Sequence, residues 1–395
     1  MHIYYIDPHP VPGDCPEAMQ ILQTVDALAA LGCDVTLLTP ATTSLDATTS
    51  LDATAILGRP LHARVRLWPL DVPRAWWWTA RSSQPFYRAA CAHMRKTRDC
   101  DALLVRNLKL AEHLLRLPQR PRLVFETHEV FARTFAEQHP KPNLRTRLKL
   151  AQLRAREGAV YRQADALAAL TEWLIADVRE EYGVVTQAAV VPDGVDLQLA
   201  EAAILPERPA GPPRLLYLGS LHPWKGVSTL ITALARIPNA HLRIAGGPAH
   251  RVAELQMLAV SNGVSSRVEF LGHVLPVNRF KVIAEADICL LPLSETSIGS
   301  RYTSPLKLFE YMALGKPIVS ADVPAIRSVL TSGESALLVP PGDIAALTTA
   351  VRQLMEQPAL AAQLGKRVRQ LAQQYSWQAR AATLLRLAGD TSCVE

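Results

Sequence analysis

The strongest constraint on this chain is an alternation that runs through nearly all of its 395 residues. Short apolar runs of strand length recur at 2–6, 34–39, 63–68, 101–105, 122–126, 166–170 and 187–191. A second series follows at 214–218, 241–246, 267–271, 287–291, 316–320 and 336–339. Between them lie segments such as 15–31 and 226–237, whose apolar residues recur at helical spacing. Such a chain builds parallel sheets covered by helices, because neighbouring parallel strands need a long crossover. Two complete series predict an α/β protein of two doubly wound domains, at 1–192 and 214–374. The break between them, 193–213, carries Gly194, Pro206, Pro209, Gly211, Pro212 and Pro213, and reads as a linker. Residues 375–395 end the chain in a further helical pattern.

In doubly wound sheets ligands bind outside the carboxyl ends of the strands, so two such domains are expected to face a cleft. A hydrophobic content of 49% is that of a well-buried α/β protein and excludes a disordered chain. No apolar stretch reaches the roughly 18 residues a spanning helix needs. The start, MHIYYIDPHP, has no basic leader and runs straight into a strand, so no signal peptide is expected. The six cysteines, at 15, 33, 91, 100, 289 and 393, show neither a CxxC pair nor metal-ligand spacing. A reducing cytoplasm is the simplest compartment, with a peripheral position on the inner face of a membrane left open.

Charge is distributed unevenly. Residues 1–58 carry −7, residues 59–162 carry +14, and the remainder −1. A basic segment of this kind suits an anionic membrane surface or a polyanionic acceptor, and equally an ordinary solvated surface. No nucleic-acid-binding motif accompanies it, so no nucleic-acid partner is expected. Trp76, Trp77 and Trp78 fan out by about 100° each if helical, so at least one is expected at the surface. Interfacial anchoring and plain packing both remain open for them. The tandem ATTSLD repeat at 41–52 has too few units for a solenoid and reads as a loop insertion.

Chemistry concentrates at Ser304–Ser320, SPLKLFEYMALGKPIVS, which follows the apolar run at 287–291. Pro305 suits a first helical turn and Gly315 a helix stop. A helix N-terminus beyond a parallel strand favours anions through its unpaired N–H groups and its dipole. Lys307 and Glu310, three apart, share one helix face. A cation beside a carboxylate suits a ligand with both phosphate and hydroxyl groups. Lys225 follows a strand and Gly219 at the mouth of another helix, where a cation opposes the dipole unless an anion is bound. Gly246 and Gly247 end a strand, where a backbone can approach a phosphate closely or simply turn.

These motifs, in order, resemble the donor-binding half of glycosyltransferase family 4, retaining enzymes of GT-B fold with two Rossmann-like domains. The likeness runs through RLLYLGSLHPWKGVSTLITAL (214–234), HLRIAGG (241–247), VEFLGHV (268–274), the 304–320 segment and ALLVPPGD (336–343). The N-terminal half matches at His128 and at 190–196. The resemblance implies transfer of a sugar from a nucleotide-diphospho sugar to an acceptor, with no metal and no cofactor beyond that co-substrate. It implies donor-binding roles for Gly219, Ser220, Lys225, Gly246, Gly247, His273, Val274, Arg301, Tyr302, Thr303, Ser304, Lys307 and Glu310. The acceptor side is assigned to Gly13, Asp14, Arg106, Asn107 and His128. His128, Lys225 and Glu310 are the candidate catalytic groups. By the same resemblance the last helix crosses back to the N-terminal domain.

Two positions depart from the family. Ser220 stands where a phosphate-binding Arg is usual, and Tyr302 where the first carboxylate of an E-x7-E pair is usual; Arg301 or Lys307 could replace the missing cation. The acceptor implied is sugar-containing, lipid-linked or a surface-polysaccharide precursor. A catalytically silent GT-B subunit that binds a partner, and a nucleotide-sugar epimerase, are the alternative readings.

Overall fold

The computed structural model describes residues 1–13, 15–41, 52–72, 82–183, 187–204 and 211–390. The chain divides into two compact units, one of Met1–Pro192 with the residues from Trp377 on, the other Asp193–Ser376. Asp14, most of the ATTSLD repeat, Trp76–Trp78, linker residues 205–210 and Cys393 lie outside the described residues.

The first unit holds β1 (His2–Ile6), β2 (Asp34–Pro40), β3 (Val65–Leu70), β4 (Ala102–Val105), β5 (Arg122–Thr127), β6 (Ala166–Ala169) and β7 (Ala188–Val190). They form one parallel sheet in the order β3-β2-β1-β4-β5-β6-β7. Central strands such as β4 and β6 are buried along their whole length, which is why they read as unbroken apolar runs. Edge strand β3 has no fully buried residue and carries Pro69, whose missing N–H an edge tolerates.

The second unit holds β8 (Arg214–Leu218), β9 (His241–Ala245), β10 (Val268–Gly272), β11 (Ile288–Leu291), β12 (Ile318–Ala321) and β13 (Leu337–Val339). These too are parallel, in the order β10-β9-β8-β11-β12-β13. Alternate residues feed two cores. Leu216, Leu218, Cys289 and Leu291 face one side, and Leu215, Tyr217, Ile288 and Leu290 the other. The strand positions read from the sequence all carry strands here.

Residues 193–204, the first part of the expected linker, carry structure of their own in this unit. The Val195 N–H donates to the Tyr375 carbonyl at 2.9 Å. Asp196 caps the helix Leu197–Ala202 through its carboxylate, and that helix packs on the helix Leu306–Ala313.

In each sheet the strand order reverses once near its middle, between β1 and β4 in the first unit and between β8 and β11 in the second. The carboxyl ends of those strand pairs are where such a fold accepts a ligand.

Candidate functional site

In the second unit the loops leaving β8 and β11 are locked together by a glycine. Gly226 has φ +68°, and a Cβ there would stand 1.8 Å from the Pro292 carbonyl oxygen. The Ser294 N–H donates to the Trp224 carbonyl at 3.0 Å and closes the same contact. The turn Pro223–Lys225 is thereby held at the switch point, with the Lys225 ammonium 3.8 Å from the centre of the Trp224 ring. Burial lowers the Lys225 pKa to about 8.

The helix Leu306–Ala313 brings the other charges. The Tyr311 hydroxyl accepts the Leu218 N–H at 3.0 Å, fixing this helix against the end of β8. Lys307 is 5% exposed, and its Nζ lies 3.6 Å from the centre of the Tyr217 ring with no hydrogen-bond partner. Burial drives its pKa well below the lysine range, with the charges of Lys225 and Arg279 adding and Glu310 opposing. Glu310 is buried too. Arg279, from the helix Arg279–Ala284, sits 3.2 Å from its Oε2, in a geometry that makes an ion pair without a hydrogen bond. Burial raises the Glu310 carboxyl, and Arg279 and Lys307 pull it back. As the i, i+3 spacing predicts, cation and carboxylate share one face.

The remaining donor-side residues have varied positions. Gly219 directly follows β8, and a Cβ on it would stand 3.1 Å from Lys307 Nζ; Ser220 comes next, its carbonyl accepting the Tyr217 hydroxyl at 2.6 Å. Gly246 has φ +105°, and a Cβ on it would meet the Gly219 carbonyl oxygen at 2.5 Å, so close loop packing alone requires this glycine. Gly247 packs on Leu221 in the same way. His273 is exposed beyond β10, and Val274 packs on the core. Arg301 and Tyr302 belong to a short wide-turn helix, Ile298–Tyr302, with the Tyr302 and Thr303 side chains buried. The Ser304 hydroxyl accepts the Asp193 N–H at 2.8 Å, which ties this loop to the start of the unit.

In the first unit, Asp7 after β1, Arg106 after β4, and Glu126 with His128 at the end of β5 converge near the switch point. Glu126 is buried, and its Oε1 accepts from Gln20 Nε2 at 2.7 Å, His128 Nε2 at 2.7 Å and Arg380 Nη2 at 2.6 Å. Burial alone would raise this carboxyl, but Arg380, His128 and Arg106 outweigh it and hold it well below the usual range. His128 Nδ1 lies 3.3 Å from Arg106 Nη2. A neutral imidazole protonated on Nε2 satisfies both contacts, donating to Glu126 and accepting from Arg106. Burial and then Arg106 lower the His128 pKa accordingly. Both ring nitrogens are therefore engaged by the protein.

Asp7 is fully buried; its Oδ1 accepts from the His9 backbone N–H at 2.9 Å and faces His9 Nδ1 at 2.6 Å, and its Oδ2 has no partner. That hydrogen bond raises the His9 pKa against the opposing effect of burial. The Tyr5 hydroxyl is buried and unpartnered as well. Asn107 acts as a cap: its Oδ1 accepts the Leu110 N–H at 3.0 Å and the Tyr87 hydroxyl at 3.2 Å. Gly13 packs near Ala18 at the start of the first helix.

Sequence reasoning missed Arg279, Asp7, His9, Glu126, Gln20 and Arg380. An Asp directly after β1 and a Glu ending β5 were weak signals of position; Arg279 and Arg380 lie in helices and carry none.

Residues 18–199 match the family model described as Glycosyltransferase Family 4, and residues 212–357 that described as Glycosyl transferases group 1. A phosphatidyl-myo-inositol mannosyltransferase of Mycobacterium leprae (strain TN) is 31% identical over 211 residues, 51% of this chain and 53% of that protein. A D-inositol 3-phosphate glycosyltransferase of Corynebacterium efficiens is 30% identical over 251 residues, 59% of this chain and 58% of that protein. The chain thus matches little more than half the length of these curated relatives. The solved sucrose-phosphate synthase of Thermosynechococcus elongatus shares the fold, with a TM-score of 0.78 at 22% identity over 98% of each chain. With one glycosyltransferase model matched in each doubly wound unit, the chain is similar to the glycosyltransferases of family 4 type, and its two parallel-sheet units have the GT-B fold.

Proposed function

We propose that this protein transfers a sugar from a nucleotide-diphospho sugar to a hydroxyl of an acceptor, with retention at the anomeric carbon and without a divalent ion. The observation that carries this reading is the group at the β8/β11 switch point: the half-buried Lys225 and the buried Lys307, with the buried Glu310 carboxylate on the helix of Lys307. A departing diphosphate needs charge stabilisation, and fixed ammonium groups with little competing water supply it. Glu310 offers two oxygens to a vicinal diol such as a ribose, and Arg279 orients it. No side chain is assigned as a nucleophile; the leaving diphosphate takes the proton of the attacking hydroxyl. On the acceptor side, His128 serves only once its Arg106 or Glu126 contact is exchanged for substrate.

The names of the curated relatives favour a hydroxylated, inositol-like or lipid-linked acceptor. A membrane-bound acceptor agrees with the helix Leu144–Gln163, where Leu144 and Leu148 are 74% and 65% exposed among Arg145, Arg147 and Lys149. No helix among the described residues is long and apolar enough to cross a membrane.

The test is titration of the whole chain in EDTA with UDP, GDP and their sugar conjugates by calorimetry, followed by transfer to acceptor extracts and assignment of the product anomer. Binding and turnover with retention support the reading. Failure of every nucleoside diphosphate to bind the folded protein sinks it, and binding without any turnover favours a silent subunit.

A further inference from the structure

We propose that Lys307 is the second phosphate-binding cation of this site, an amine in the unliganded protein and an ammonium once a diphosphate is bound. This rests on the donor reading above and goes beyond it by naming a proton as part of the binding event.

Position comes first. The strand-end neighbour of Gly219 is Ser220, too short and uncharged to meet a phosphate. Lys307 Nζ lies against that same strand end, only 3.1 Å from where a Cβ on Gly219 would stand. A charge carried there by a helix thus reaches the end of β8, where the neighbouring residue supplies none.

The surroundings come second. An ammonium has three donors to satisfy, yet Lys307 Nζ is buried with no hydrogen-bond acceptor. The groups whose charges bear on it are Lys225 from the turn Pro223–Lys225, Arg279 from the helix Arg279–Ala284, and Glu310 from its own helix. The β8 side contributes the Tyr217 ring. Two of the three charges repel a proton, and the single carboxylate is already paired with Arg279. The face of Tyr217 is a weak partner compared with a phosphate oxygen. A diphosphate reverses the balance, bringing hydrogen-bond acceptors to a group that has none and adding negative charge to the one carboxylate already shared with Arg279. The amine then takes a proton from solvent, and binding is coupled to uptake.

UDP is the probe, titrated at pH 8 in buffers of different ionisation enthalpy, which yields the number of protons taken up. A Lys225→Arg background holds the other cation permanently charged. In that background the parent should take up a proton fraction that Lys307→Arg, charged throughout, abolishes while retaining affinity. Lys307→Met should abolish uptake and weaken UDP about ten- to a hundredfold, the loss of one charge-assisted contact. Its melting temperature should be unchanged or higher, since a buried polar group without a partner is removed. Uptake that persists in Lys307→Met, or UDP affinity equal to the parent's, overturns the assignment of Lys307 alone. Failure of the wild type to bind UDP, GDP or inorganic pyrophosphate overturns the donor reading and this inference together.

Discussion

At the scale of single residues, the second unit keeps lysines where the protein alone disfavours their charge. Lys225 is depressed to about 8 by burial. A lysine lowered in the folded state binds fewer protons there than in the unfolded chain, so stability rises with pH between about 8 and the ordinary lysine range. Lys307, depressed for the same reason, contributes with the same sign. Urea midpoints measured from pH 7.5 to 10 should therefore climb before other groups titrate, and Lys225→Met should flatten that slope. An identical slope in the variant would mean that Lys225 is not the group responsible. Gly226 is the companion constraint. Alanine there must adopt φ +68° and move the Pro292 carbonyl, which lies 1.8 Å from its Cβ. We expect a loss of about 3 kcal/mol or more in chemical denaturation, at the high end for one substitution. A loss below about 1 kcal/mol would show that the turn has room to relax.

At the scale of elements, the helix Leu144–Gln163 is built unlike its neighbours. Its last turns are buried around Glu157, which accepts the Phe131 and Ala132 N–H groups at 2.8 and 2.9 Å and the Tyr182 hydroxyl at 2.7 Å. Its first turns bear exposed leucines and basic residues. Each Lys or Arg near an anionic surface contributes on the order of 1 kcal/mol, fading within a Debye length. The protein should sediment with anionic vesicles and not neutral ones, less so as salt rises. Exchange of Arg145, Arg147 and Lys149 for Glu should abolish this and leave UDP affinity intact. Equal recovery on both vesicle types, or on neither, returns this face to plain solvated surface.

At the scale of the whole molecule, the last helix belongs with the first unit. Arg380 donates to Glu126, to Thr24 Oγ1 at 3.1 Å, and to the carbonyls of Val191 and Pro192 at 2.8 and 2.9 Å. Removing one partner of a buried ion pair costs about 3–5 kcal/mol, because the other charge stays buried without it. A chain ending at Ser376 should therefore lose the cooperative melting of the first unit while the second still melts as before. Calorimetric scans would separate the two transitions. Preserved melting of both would place the stabilising contacts of Glu126 elsewhere.

What the sequence determined by itself was the periodic part. Buried parallel strands must be apolar without interruption, and a helix packed on them must repeat near 3.6 residues, so β1 to β13 and the two doubly wound sheets were legible. The local motifs were legible too: Lys307 and Glu310 share a face because spacing on a helix is fixed by geometry. Only the tertiary structure decided which charges meet. Glu126 finds Gln20 across 106 positions and Arg380 across 254, and no local periodicity encodes such pairings. For the same reason the sequence could not reveal that Arg279 answers Glu310, that both nitrogens of His128 are engaged, or that Asn107 is a cap. Burial, which sets the protonation of Lys225 and Lys307, is a property of everything packed around a residue and not of its neighbours in the chain.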